Sequence, residues 1–186
     1  MNKIENALKN MSEAKWNYWL SFIYDGAIAI LLMIVAYMSG MEFFTGLIFF
    51  FSGVIFFTLI EYVVHAHLFH GPLKSFVKAH AKHHKDPHGY DAMPFFFAQF
   101  IIAPFFGLAI LLFGSDIAMI FTSGVFAGYI AYGLMHHAMH RVNPTGKYFS
   151  YMVAFHDQHH TNPKMNHGVT VPFWDMVFGT FTPLKK

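Results

Sequence analysis

The sequence predicts an all-α integral membrane protein with four transmembrane helices in two hairpins and a helical cap on the cytoplasmic side. Three observations carry this reading. The 186 residues are 55% apolar and 19% aromatic, with 24 Phe, and only 12% are charged, against about 25% in ordinary globular chains. Four apolar stretches approach the roughly 20 residues that cross a bilayer. All twelve Lys and Arg residues avoid the two short breaks that divide those stretches into pairs. A water-soluble protein does not have this composition, and no nucleic-acid partner is expected. At this length a single membrane-embedded domain over residues 1–186 is expected. With no cysteine, disulfides, thiolate metal sites and cysteine nucleophiles are ruled out together.

In chain order, residues 1–16 lack the apolar core and small-residue cleavage site of a signal peptide. Ile4, Leu8 and Met11 recur at helical spacing, which predicts a short interfacial helix leading to Trp16, Tyr18 and Trp19. The spans run over 18–38, 43–63, 94–113 and 117–135. Their breaks, 39–42 and 114–116, are short enough to force two tight hairpins. Asp25 sits inside the first span, either as a functional group or close enough to the interface to reach water. Lys3, Lys9 and Lys15 precede the spans. Lys74, Lys78, Lys82 and Lys85 lie in the central loop, and Arg141, Lys147, Lys164, Lys185 and Lys186 follow the last span. The hairpin turns carry only Glu42 and Asp116. The positive-inside rule therefore places both termini and the central loop in the cytoplasm.

The 14 histidines are the anomaly in so apolar a chain. They fall in four groups, after span two, in the central loop, after span four and in the tail, and this topology brings all four to one membrane face. Gly71 can end span two, and Pro72 suits a first helical turn. A helix from there to about Lys85 would gather its four lysines within about 80° of arc. Leu73, Phe76, Val77, His80, His83 and His84 take the opposite side.

Four spacings stand out: H-x4-H (His65, His70), H-x2-H-H (His80, His83, His84), H-x3-H (His136, His140) and H-x2-H-H (His156, His159, His160). His136 and His140 share a helical face, as do His156, His159 and His160. His65 and His70 diverge by about 140° on a regular helix, so the segment is expected to unwind near Gly71. Glu61, four residues before His65, is placed to orient its ring. Ten imidazoles exceed one six-coordinate ion and a closed four-coordinate zinc site. Two ions with five nitrogens each use all ten and leave an open position apiece, which makes the cap a His-rich dimetal site. Imidazole suits Fe, Zn, Cu and Ni, and an oxygen-activating pair of iron ions fits best. His67, His88 and His137 stand outside the periodic sets as structural residues. His167, in a glycine-containing turn, is balanced between the two roles.

These residues resemble the fatty acid hydroxylase / sterol desaturase superfamily of membrane non-haem di-iron enzymes. The resemblance covers residues 61–182. It rests on EYVVHAHLFH from Glu61 to His70, HAKHH from His80 to His84, the His136 to His140 motif, HDQHH from His156 to His160, and GVTVPFWDMVFGT from Gly168 to Thr180. The first motif looks most like the membrane domain of fatty acid 2-hydroxylases. The resemblance implies hydroxylation of a lipid acyl chain, with O2 as co-substrate and two Fe ions on the ten spaced histidines. Zinc is expected to occupy the same nitrogens in purified protein when it is the available ion. Glu61, Asp157 and Asp175 become candidate carboxylates behind the ligands, and Phe95, Phe96, Phe97 and Trp174 candidate walls for a membrane lipid substrate. No cytochrome b5 sequence is present in the chain. Electrons are therefore expected from a separate donor, a cytochrome b5-like protein, a ferredoxin or a reductase, steered by the cytoplasmic lysines. Two other readings remain open: a sterol or carotenoid desaturase or ring hydroxylase of the same superfamily, and a non-catalytic membrane cytochrome or metal-binding protein.

Overall fold

The computed structural model describes residues 3–90, 92–142 and 144–184. Lys185 and Lys186, two of the cations used above to orient the chain, lie outside the described residues. Those described form eight α-helices and a π-helix, with no strand among them. They are α1 (Lys3–Ser12), α2 (Lys15–Met38), α3 (Phe43–Val63), π1 (Val64–Phe69), α4 (Lys74–Lys85), α5 (Phe97–Phe113), α6 (Ser115–Arg141), α7 (Lys147–Thr161) and α8 (Phe173–Phe178). Three helical stretches are long and apolar enough to cross a membrane: Lys15–Met38, Phe43–Phe69 and Ser115–Arg141. The fourth apolar helix, α5, has 17 residues, or about 25 Å of rise, short of the roughly 30 Å of hydrocarbon. Its span was expected to begin at residue 94, but Phe97 donates its main-chain N–H to the Pro94 carbonyl in a turn before the helix. This is a membrane protein. Ile23, Met38, Phe44, Ile48, Phe100 and Leu111 each expose more than 60% of their surface, which only hydrocarbon surroundings make favourable over so many positions.

The chain divides into two compact units, residues 1–57 with 89–130, and residues 58–88 with 131–186. In the first unit both hairpin turns hinge on a glycine with positive φ, Gly40 at 98° and Gly114 at 85°, a conformation that a Cβ would strain. Glu42 caps α3 by accepting from the main-chain N–H of Phe44 (3.0 Å) and Thr45 (2.7 Å). Those donors hold its carboxyl below the usual range. Deeper in, α3 and α6 meet through Gly53 and Gly124. A Cβ on the first would strike the Phe121 carbonyl and on the second the Phe50 carbonyl, so glycine is what permits this backbone approach.

Asp25 does not reach water. It is fully buried and accepts a 2.5 Å hydrogen bond from Gln99 Nε2. Nearby, Asn17 ties α2 to the start of α5, donating to the Met93 carbonyl and accepting from the Phe95 N–H. Helix α1 is amphipathic but buries no residue. It leaves Ile4 70% exposed, as an interfacial helix requires.

The second unit packs Met139, Met152, Phe155 and Val169 into a core, with Tyr132, Met135, Tyr151 and Phe181 against it. The tail is fastened by polar contacts as well. Trp174 Nε1 donates to Thr58 Oγ1. Asn166 clasps Thr182 through both its amide groups and takes Thr180's carbonyl on its own N–H.

Candidate metal centre

The segment after α3 does not unwind at Gly71. It widens instead into π1, where the His70 N–H bonds the His65 carbonyl at 3.1 Å. An i to i+5 turn stacks residues five apart on one side, so His65 and His70 point the same way. Gly71 closes this turn because a Cβ there would run into the His67 carbonyl. Leu73 then caps α4. Pro72 therefore stands before the helix, not in its first turn, and Leu73 is 52% exposed rather than inward. Along α4, Lys74, Lys78, Lys82 and Lys85 are exposed, His83 is buried, and His80, His84, Phe76 and Val77 are half-buried.

The ten spaced histidines lie in two groups of five. One is His65, His70, His80, His84 and His159; the other is His83, His136, His140, His156 and His160. The H-x2-H-H triplets do not each face one point, as the spacing suggested. On α4 the i,i+4 pair His80 and His84 joins the first group while His83 joins the second. On α7 the pair His156 and His160 joins the second while His159 joins the first. Each triplet straddles both groups, with opposite weighting. His84 and His160 stack at 4.4 Å where the groups adjoin. His67, His88, His137 and the His167 ring belong to neither group.

Within a group the Nε2 atoms converge. His65 and His80 approach to 2.9 Å, His80 and His84 to 3.0 Å, and His70 and His159 to 3.0 Å. In the other group His156 lies 3.0–3.1 Å from His136, His140 and His160. Cis nitrogens at roughly 2.1 Å from an octahedral ion would stand about 3 Å apart. These contacts cannot all be hydrogen bonds. His65 Nδ1 donates to the His167 carbonyl at 2.5 Å and His159 Nδ1 to the Met165 carbonyl at 2.7 Å. A carbonyl only accepts, so Nδ1 carries the proton and Nε2 of each neutral ring offers a lone pair. His83 Nε2 is buried with no hydrogen-bond partner. Lone pairs facing one another repel, and a cation between them removes the repulsion. The donor set thus fits two metal ions.

Ring positions add a direction. His80 and His159 stand 6.3 Å apart and His83 and His156 6.4 Å apart, the separation of opposed rings. His70 lies 4.6–5.2 Å from the other four rings of its group. His140 lies 4.8–4.9 Å from the other four of its own. Five rings so disposed surround one centre in each group, with His70 in one and His140 in the other about equally far from the remaining four.

The three carboxylates take three different places. Glu61 makes no hydrogen bond to His65. It is buried and accepts from the N–H groups of Val169 (2.6 Å) and Thr170 (2.9 Å) and from the Thr170 hydroxyl (2.5 Å). Asp157 is exposed on α7, with no hydrogen bond from its carboxylate to any of the ten histidines, so it stands apart from the centre. Asp175, fully buried, accepts from the N–H of His167 (2.7 Å) and Gly168 (2.8 Å) and from Thr180 Oγ1 (2.7 Å). It thereby holds the loop whose carbonyl anchors His65. Sequence reasoning missed these carbonyls because any residue type carries one. The usable signal was Asn166-His167-Gly168, a turn-forming run in which Asn166 has φ 58°.

Burial, the largest cause at each ring, favours the neutral form that binds metal, and neighbouring imidazoles add to it at His70, His80, His83, His159 and His160. His70 falls to about 4 and His83 to about 3. His160 falls to about 4, and His80, His84 and His159 are also lowered.

Residues 50–180 match the fatty acid hydroxylase family. The chain belongs to that family. Fatty acid hydroxylases are oxidoreductases, and this chain is an enzyme of that kind. Among its relatives, the dihydroceramide fatty acyl 2-hydroxylase FAH2 of Arabidopsis thaliana is 28% identical over 91% of this chain and 78% of its own length. The fatty acid 2-hydroxylase of Rattus norvegicus is 33% identical over 68% of this chain, but the match spans only 37% of the rat protein. A solved structure of full-length scs7p, with only the hydroxylase domain visible, superposes with a TM-score of 0.81 at 27% identity, covering 96% of this chain and 72% of that one.

Proposed function

We propose that this fatty acid hydroxylase inserts one oxygen atom of O2 into an acyl chain of a membrane lipid, at a pair of iron ions held by the ten grouped histidines. The carrying observation is the convergence of two sets of five imidazole nitrogens. The relatives' names point to acyl 2-hydroxylation, and the 2-position is the first to test. The overall balance is R–H + O2 + 2 e⁻ + 2 H⁺ → R–OH + H2O. When bound, the metal pair supplies activation of O2; the chain supplies position. His167 and Met165 carbonyls fix the tautomers of His65 and His159, while Asp175 and Glu61 hold the loop that carries those carbonyls. Haem anchoring would use two opposed imidazoles and a flat porphyrin between them, whereas five convergent rings leave no plane for it.

The reading includes four membrane crossings, with α5 as the fourth, and both termini and the metal centre on the cytoplasmic side, where the lysines lie. Neither unit is continuous in sequence, which supports treating residues 1–186 as one domain. The two electrons come from a separate redox protein. Comparative lipid mass spectrometry of cells with and without the gene tests the reaction: a gain of one oxygen in an acyl chain is expected. Loss of two hydrogens would move the assignment to desaturation. Metal analysis of protein purified after growth in iron should give about two ions per chain.

A further inference from the structure

We propose that Tyr62 and Trp174 form an escape route for oxidising equivalents, giving electrons to the metal pair when O2 is activated with no lipid C–H bond in reach, an inference that rests on the reaction proposed above. A run of aromatic rings leads from the metal centre to the surface. The His167 ring stands 5.3 Å from His159, 5.5 Å from His70 and 5.6 Å from His65, and its main-chain carbonyl takes the proton of His65 Nδ1. Tyr62, only 2% exposed, stands 5.9 Å from His167. Phe178 stacks on Tyr62 at 5.0 Å and 17°, and Trp174 stacks on Phe178 at 6.2 Å and 26°. The run then reaches the outside, because Phe178 is 53% exposed. Of these rings the phenol and the indole are the readily oxidised ones. Phe178 and His167 serve as bridges between them and the metal ligands.

A phenol gives up an electron readily when its proton leaves at the same time, and Tyr62 has somewhere to send it. Thr180 Oγ1 donates to Asp175 Oδ1 at 2.7 Å. A hydroxyl carries one proton, so in the 3.0 Å contact between Tyr62 and Thr180 the phenol donates. Loss of one electron from Tyr62 then passes its proton to Thr180, and Thr180 passes its own to Asp175. The balance is Tyr62–OH + Asp175–COO⁻ + oxidised metal pair → Tyr62–O• + Asp175–COOH + metal pair reduced by one electron. Trp174 refills Tyr62 with an electron through Phe178, and the proton returns from Asp175 to the phenol oxygen. The indole radical cation left at the outer end is restored by one electron from an enediol reductant, ascorbate, which releases a proton to water.

Tyr132 is the competing donor. It lies flat on His136 at 5.8 Å and 8°, but it packs against the core of Met139, Met152, Phe155 and Val169. An oxidising equivalent placed there sits beside thioethers whose oxidation disrupts a core. The route through Tyr62 leads away from that core.

The test uses full-length protein loaded with iron, reduced without air and held in nanodiscs of ether-linked lipid, which offers no acyl carbon. It is mixed with O2 and freeze-quenched. Mössbauer spectroscopy follows the iron and electron paramagnetic resonance the radicals. Wild type should give a tyrosyl signal that narrows when ring-deuterated tyrosine is incorporated. The signal should be lost in Tyr62→Phe and retained in Tyr132→Phe. Tyr62→Phe keeps the ring on Phe178 and leaves Thr180 donating to Asp175, so wild-type melting and metal content are expected. Thr180→Val keeps the phenol and removes its proton acceptor, and the signal should drop, which a purely structural Tyr62 does not explain. Trp174→Phe should lengthen the life of the Tyr62 radical. After repeated exposure to O2, peptide mass spectrometry should find several-fold more oxygen added to His65, His70 and His159 in Tyr62→Phe than in wild type. Loss of either the signal or this protection in Tyr62→Phe alone sustains the inference. Iron oxidised by O2 with no tyrosyl signal, and with equal histidine oxidation in wild type and Tyr62→Phe, overturns it and leaves the proposed reaction standing. A signal lost in Tyr132→Phe instead also overturns it. Iron that O2 does not oxidise removes the proposed reaction and this inference with it.

Discussion

His65 Nδ1 donates a 2.5 Å hydrogen bond to the main-chain carbonyl of His167, 102 residues further along the chain. A ring at the end of the second apolar helix is thus aimed by the tail, and the tail is held in turn by Asp175. Replacing Asp175 by Ala strands the N–H groups of His167 and Gly168. Each unsatisfied buried donor costs about 1–3 kcal/mol. A clear drop in melting temperature and fewer than two ions per chain are expected. An Asp175→Ala protein with wild-type melting and metal content would show that His65 needs no support from the tail.

Gly71 sets the exit from π1. In Gly71→Ala the new methyl meets the His67 carbonyl, and relieving such overpacking costs about 1–3 kcal/mol. His70 moves out of register with His65. Metal content should fall towards one ion per chain, retained by the group of His83. Two tightly held ions in this variant would mean that the π turn is not needed for alignment.

Neighbouring residues on α7 serve different groups. His159→Ala should weaken the ion nearest His65 and His160→Ala the ion nearest His140, each lowering the total by about one, and the double variant should lose both. All three should lose turnover. Anomalous X-ray scattering from iron-soaked crystals distinguishes which position empties, and depletion of the same position by both single variants contradicts the partition.

Acid should destabilise the metal-free protein. His70 and His160 titrate near 4 in the folded state, lowered first by burial, against about 6.5 when unfolded. Between those values the unfolded chain binds more protons, so stability falls as pH falls from about 6.5 towards 4 and is flat above 6.5 with respect to these groups. Melting of the metal-free protein across pH 4–8 reads this directly. Bound metal should be released over the same acid range, since protons compete for the same nitrogens. Melting that improves on acidification would contradict the neutral state of these rings.

Much of the centre was legible in the residues. Spacing of 3, 4 and 5 named ten histidines, and the count itself pointed to two ions with five nitrogens each. Apolar stretches with lysines kept out of the turns marked the membrane helices, although α5 is shorter than its apolar run because the Pro94 turn precedes it. Asp25 was open to two readings, and only the placement of Gln99 decided that it is buried.

The sequence by itself determined the membrane class, the identity and number of the candidate ligands and the cationic outer side of α4, because composition and helical period express these without reference to any partner. Only the tertiary structure decided how the triplets divide between the two groups, that His65 and His70 align through a widened turn, and that Glu61 serves the tail instead of His65. The physical reason is that spacing sets an angle about a helix's own axis, not the side from which a second helix supplies its nitrogens. The acceptors that aim His65 and His159 are main-chain carbonyls, which carry no mark in the residue type.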